Sequence, residues 1–217
     1  MPPSADHPTD LPPSDVPQKF RRREDLVAML GSRICHDIIS PVSAIGNGVE
    51  LLAMGGKVDG PEMDLIVESV NNAKARVRFF RVAFGLASDG AQLGEREIRS
   101  IIEDMTRGGR TRIEWQLHGD RPRGDVKLVF LALQCLETAM PYGGTVEVTG
   151  DDTGWQVSGT ADKMKTDAAL FGLLTDGDPN HAITAAQVQF ALLPIEAARQ
   201  DRQVSVEIAP TRIDIRF

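Results

Sequence analysis

One histidine in this sequence is placed to do chemistry. In the run Arg33-Ile34-Cys35-His36-Asp37-Ile38-Ile39-Ser40-Pro41, His36 is followed directly by a carboxylate, and the surrounding apolar residues recur at helical spacing. At roughly 100° per residue, Val27, Leu30, Ile34, Ile38, Ile45, Val49 and Leu52 fall into one stripe, which predicts a long amphipathic helix seeking a partner helix. His36 lies about 180° from the centre of that stripe. It shares a polar face with Ser32, Arg33, Ser40, Ser43, Asn47 and Glu50. An imidazole on such a face meets water, and its ordinary pKa of about 6.5 leaves a neutral ring nitrogen available as a nucleophile. Helix geometry by itself leaves another reading open, an ordinary solvated face that happens to include a histidine. Asp37 has two readings as well: a group that orients the ring or stabilises its cation, or a surface acid that keeps the helix soluble.

The elements that must hold His36 can be read outward from it. The helix begins near residues 22–24 and stops at Gly55-Gly56, with Pro41 inside it as a kink or a tolerated bend. A second helix starts at Gly60-Pro61, proline suiting the first helical position. It carries Met63, Ile66, Val70, Ala73, Val77, Phe80 and Phe84 at spacings of three and four, a heptad seam. Two antiparallel helices cannot bury both apolar faces alone, so the pattern predicts a homodimer whose two hairpins form a four-helix bundle. Residues 86–94 read as a linker. Beyond it the period changes, and the sequence predicts helices near 95–106 and 125–140 and a strand near 112–118. A hairpin over 145–150 and 154–159, helical segments near 166–174 and 182–200, and a closing strand pair over 203–209 and 212–217 follow. Helices on one face of a mixed sheet make an α/β sandwich, and the fold class is α+β. The domain plan is a disordered tail over 1–20, a helical hairpin over 21–86 and the sandwich over 95–217. Six of the 13 prolines fall in the first twenty residues, which is why that stretch reads as a tail.

Composition bounds the function. The chain has 217 residues and a formal net charge of −7, which argues against a nucleic-acid or anionic-membrane surface and favours protein partners. No apolar run approaches the roughly 18 residues that a spanning helix needs, and the N-terminus lacks a signal-peptide core, so a cytoplasmic location is expected. Cys35 and Cys135 are too few for a disulfide framework and read as reduced thiols.

The segment His36-Asp37-Ile38-Ile39-Ser40-Pro41 resembles the phosphorylation motif of sensor histidine kinases, His-(Asp/Glu)-x-x-(Ser/Thr/Asn)-Pro. With Ser32-Arg33-Ile34-Cys35 before it and Ser43-Ala44-Ile45-Gly46-Asn47-Gly48-Val49-Glu50-Leu51-Leu52 after it, the stretch is more particularly similar to the ChpT histidine phosphotransferases of alphaproteobacteria. The resemblance implies a dimerisation and phosphotransfer hairpin followed by a domain like the kinase ATP-binding domain. The chain departs from the kinases where nucleotide chemistry would occur. Gln134-Cys135-Leu136-Glu137-Thr138-Ala139 stands where two asparagines would be expected, and Thr138 is a poor magnesium ligand. Val157-Ser158-Gly159-Thr160-Ala161-Asp162-Lys163 holds no Asp-x-Gly-x-Gly, and Ala182-Ile183-Thr184-Ala185-Ala186-Gln187 replaces a glycine-rich lid. Phosphates need close backbone approach, which glycines permit and β-branched residues obstruct.

The resemblance therefore implies a histidine phosphotransferase that relays a phosphoryl group between receiver-domain aspartates through His36, with Asp37 supporting, in a two-component phosphorelay serving cell-cycle control. Arg33, Ser40, Ser43 and Asn47 would face the partner, and Lys74, Arg78 and Arg81 could extend that patch. The partners would be a hybrid kinase receiver and response regulators. The chain would bind no cofactor and the receiver would bring Mg²⁺. Two rivals stay open, an active ATP-dependent histidine kinase and a dimer that binds receivers without chemistry. Other local signals have plainer readings. Asp152-Thr153-Gly154 spells the aspartic-protease tripeptide but reads as a hairpin turn. Arg123-Gly124-Asp125 reads as a loop leading to an Asp N-cap, and His118 and His181 lack partners at metal-ligand spacing.

Overall fold

The structure is a computed structural model, which describes residues 18–55, 60–88, 90–151, 154–175 and 181–217. The expected tail up to residue 17, the stop at Gly56 and the turn residues Asp152 and Thr153 lie outside the described residues. Two long helices come first: α1 (Gln18–Gly55), which begins earlier than 22–24, and α2 (Pro61–Ala83). Pro61 opens α2 at its first turn, where a missing N–H costs nothing. Pro41 sits inside α1 and is buried. The two helices pack as an antiparallel hairpin with Pro41 and Gly48 at the centre of the inner face of α1. Gly48 is there because of close approach: a Cβ added to it would lie 2.5 Å from Cγ1 of Ile66. Gly48→Leu should therefore wedge the hairpin open and lower stability by about 1–3 kcal/mol, read as a lower midpoint in urea unfolding; an unchanged midpoint would show that the helices are not in contact there.

The contact face of α1 is narrower than its apolar stripe. Val27 and Val49, expected on the packed side, are 72% and 53% exposed, and Val42 is 52% exposed. On α2, Val77 is 54% exposed, whereas Phe80 leaves the expected seam and is buried with Phe79. The physical reason is a second customer for α2: Phe79 stacks on Phe130 with ring centroids 4.6 Å apart, which fastens the hairpin to the rest of the molecule.

The rest is an α/β sandwich. Its sheet has the order β2-β4-β5-β7-β6, from β2 (Thr111–Trp115), β4 (Gly144–Asp151), β5 (Gly154–Thr160), β6 (Ser205–Ala209) and β7 (Arg212–Arg216). The β2–β4 pair is parallel and the others are antiparallel. Strands β1 (Gln92–Leu93) and β3 (Arg121–Pro122) form a small separate ladder inside and beyond the expected linker, too short to show as a period-2 pattern. Helices α3 (Glu95–Thr106), α4 (Arg123–Ala139), α5 (Ala168–Gly172) and α6 (Val188–Arg199) complete the chain, with a 3₁₀ turn at Ala185–Gln187. Helix α4 is buried almost all round, as its run of apolar residues requires. It starts at Arg123, so Asp125 lies in its first turn instead of capping it and pairs with Arg202 at 2.9 Å.

Candidate phosphotransfer site

Helix α1 carries His36 on its outward face, where the side chain is 86% exposed, and Asp37 on the flank turned towards α2, where it is 13% exposed. Successive helical residues point about 100° apart, so the two side chains meet only at their tips. Nδ1 of His36 lies 3.1 Å from Oδ1 of Asp37. The other carboxylate oxygen, Oδ2, takes Nε of Arg33 at 2.7 Å and has Nη1 of Arg76 at 3.7 Å. Burial raises the Asp37 carboxyl, but hydrogen bonds from Arg33 and His36 and the charges of Arg33 and Arg76 outweigh it, so its pKa lies below the ordinary value. An ionised carboxylate can only accept, so this contact puts the ring proton on Nδ1 and leaves Nε2 as the unprotonated nitrogen of the neutral ring.

Arg33, expected to face a partner, is turned inward. Its Nη1 donates to the carbonyl of Ala186 at 2.5 Å, joining α1 to the 3₁₀ turn that stands where a lid was sought in the sequence. Ser40, Ser43 and Asn47 are exposed on the face below His36, and Ser40 borders a groove of about 240 Å³ together with Pro41, Leu65, Glu68, Asn72 and Arg76. Arg78 and Arg81 do not extend this patch. Arg78 reaches Asp104 and Ser100 of α3, and Arg81 pairs with Glu97 at 3.2 Å, so both hold α2 to the sandwich.

The residues missed by sequence reasoning come from other elements. Arg76 and Asn72 are supplied by α2, with Nε of Arg76 donating to Oδ1 of Asn72 at 2.9 Å. Glu137 of α4 is exposed at the surface, but neighbouring protein desolvates its carboxyl and raises it, Arg33 and Arg76 pull it back, and Asp37 adds to the rise. The net direction is upward, the opposite of Asp37. Beside it, α6 is tied to α4: Gln189, fully buried, donates through Nε2 to Oγ1 of Thr138 at 3.2 Å and to the carbonyl of Gln134 at 3.4 Å. Thr138 in turn donates to that same carbonyl at 3.0 Å.

Among the described residues no helix is long and apolar enough to cross a membrane. Residues 95–212, more than half of the chain, match the model of the histidine phosphotransferase C-terminal domain. The protein phosphotransferase ChpT of Brucella abortus (strain 2308) is 36% identical over 203 residues, covering 89% of this chain and 94% of its own length. A bacterial phosphotransferase solved at 1.7 Å is 32% identical with a TM-score of 0.73, covering 88% of this chain and 95% of its own. Both relatives are matched over most of their length as well as most of this chain, and the chain belongs to the ChpT-type histidine phosphotransferases, proteins of two-component phosphorelays.

Proposed function

We propose that His36 is the phosphoacceptor of the relay and that its Nε2 exchanges a phosphoryl group with receiver-domain aspartates, the donor being a hybrid kinase receiver and the acceptors response regulators of the cell cycle. The observation that carries this reading is the outward imidazole of α1 whose Nδ1 meets Asp37 at 3.1 Å, a closer contact than the 3.6 Å between the equally exposed His118 and Glu95. In the forward step the P–O bond to the donor aspartate breaks as the Nε2–P bond forms, and the negative charge returns to the aspartate. In the second step the acceptor aspartate displaces Nε2. The transition state is loose and anionic, so the work is positioning and charge stabilisation. Mg²⁺ belongs to the receiver in this scheme. Ser40, Ser43 and Asn47, on the same face as His36, are the contacts offered to it. A cytoplasmic location follows, since receivers are met there. The test is a mixture of radiolabelled donor receiver, this protein and an acceptor regulator without ATP: label should leave the donor, pass through this chain and reach the acceptor. Label that moves from donor to acceptor at the same rate without this chain contradicts the relay.

Two further parts of the reading have their own checks. Gln189 and Thr138 bond to each other on the stretch of α4 where two asparagines would be expected, and Glu137 puts a carboxylate beside them. Calorimetry with millimolar ATP and Mg²⁺ should give no binding heat; micromolar affinity would restore the kinase reading. The homodimer is supported by exposed valines on both helices, Val42 and Val49 of α1 and Val77 of α2, which a second hairpin would cover. Val70→Asp on the same side of α2 should give a monomer or unfold the chain, because an unpaired charge in an apolar bundle is expensive; an unchanged dimer mass in light scattering would show that another face is used.

A further inference from the structure

We propose that Arg76 of α2 is a positioning residue for phosphoryl transfer, which with Arg33 engages one oxygen of Asp37 so that only the other is left for the His36 ring, selecting the nitrogen that reacts. The inference rests on the reading of His36 as phosphoacceptor and assigns a role to a residue that neither touches the phosphoryl group nor shares the motif.

The two oxygens of a free carboxylate are equivalent, and rotation about its terminal bond exchanges them. Here they differ: Oδ2 faces the guanidiniums of Arg33 at 2.7 Å and Arg76 at 3.7 Å, while Oδ1 faces Nδ1 of His36 at 3.1 Å. A ring that is 86% exposed has almost no packing to hold its orientation, so this one contact decides which nitrogen points outward. Arg33 cannot supply the whole restraint. It lies one turn away on the same helix as Asp37, and it divides its guanidinium between Asp37 and the carbonyl of Ala186. Arg76 reaches in from the opposite helix and is braced by Asn72 at 2.9 Å, so its charge stays in place independently of the 3₁₀ turn.

The experiment uses the full chain with phosphoramidate as a small phosphodonor, so that no receiver contact can enter the result. The parent should form Nε2-phosphohistidine at His36, and nitrogen-15 NMR of the unphosphorylated ring should show the Nδ1–H tautomer. Arg76→Gln should fold, mix the two tautomers and slow phosphorylation about tenfold, within the range that a misplaced reacting group costs. Arg76→Lys, which keeps the charge, should recover part of the rate. Asn72→Ala, which removes only the brace, should slow the reaction less, and it serves as the second probe should Arg76→Gln fail to fold. Parent-like rate and tautomer in Arg76→Gln, or in Asn72→Ala when Arg76→Gln does not fold, would overturn the inference while leaving His36 as acceptor. A parent labelled at a residue other than His36, or not at all, would overturn both, and the site of labelling tells the two failures apart.

Discussion

His36→Gln should lose phosphate acceptance completely while keeping the fold. The side chain is 86% exposed and makes one polar contact, to Asp37, so its removal takes away a nucleophile and almost no packing. The expected result is a protein with the parent's unfolding midpoint and oligomeric mass that stays unlabelled when mixed with a phosphorylated donor receiver. A variant that still takes up acid-labile, base-stable label would place the acceptor elsewhere.

Much of this site was legible because a helix has one period. The spacing of Ile34, Ile38, Ile45 and Leu52 fixes the side on which His36 must emerge, and the structure leaves those four residues half-buried and His36 in water. The same arithmetic overreached at Val27 and Val49, which share the stripe but not the contact, since a single partner helix covers a narrower arc than the stripe spans. Phe79 and Phe80 show the converse limit. A seam counted along α2 alone cannot tell a partner helix from the face of α4, and the stacking of Phe79 on Phe130 joins residues far apart in the chain. Arg76 was hidden for a related reason, yet a signal for it exists. In an antiparallel hairpin facing residues straddle one midpoint, and Gly48 with Ile66 and Asp37 with Arg76 both have theirs near position 57 in the sequence. The inward turn of Arg33 had no such signal, because its acceptor is a backbone carbonyl, which any residue at position 186 would supply.

The second large effect concerns the link between α4 and α6. Lys127 and Glu196 meet at 2.9 Å with side chains 10% and 11% exposed. Lys127→Met should lower stability by about 3 kcal/mol, the low end for breaking a buried pair, because Arg199 and Gln200 remain within 3.4 Å of the carboxylate. The loss should also have a pH signature. Burial raises the Glu196 carboxyl, but the hydrogen bond and charge of Lys127, with Gln200 and Arg199, hold it below its ordinary value. A depressed folded-state pKa contributes stability that is present above the unfolded value and fades as pH falls through the folded one. The gap between variant and parent should therefore be widest near neutral pH and close as the solution becomes more acidic than the ordinary glutamate range. Urea unfolding across that interval measures it, and a gap independent of pH would assign the loss to packing of the lysine stem. Since α6 follows directly on the turn that receives Arg33, the same variant should loosen the contact between Arg33 and Ala186.

The central claim is that one imidazole nitrogen carries the phosphoryl group between receivers. The most direct measurement is phosphorus and nitrogen NMR of the full chain after it has been charged by a phosphorylated receiver domain. The account predicts one phosphohistidine resonance, coupled through phosphorus to Nε2 of His36 and discharged when an acceptor receiver with Mg²⁺ is added. A resonance assigned to another histidine, or label passing between receivers while His36 stays unmodified, would contradict it.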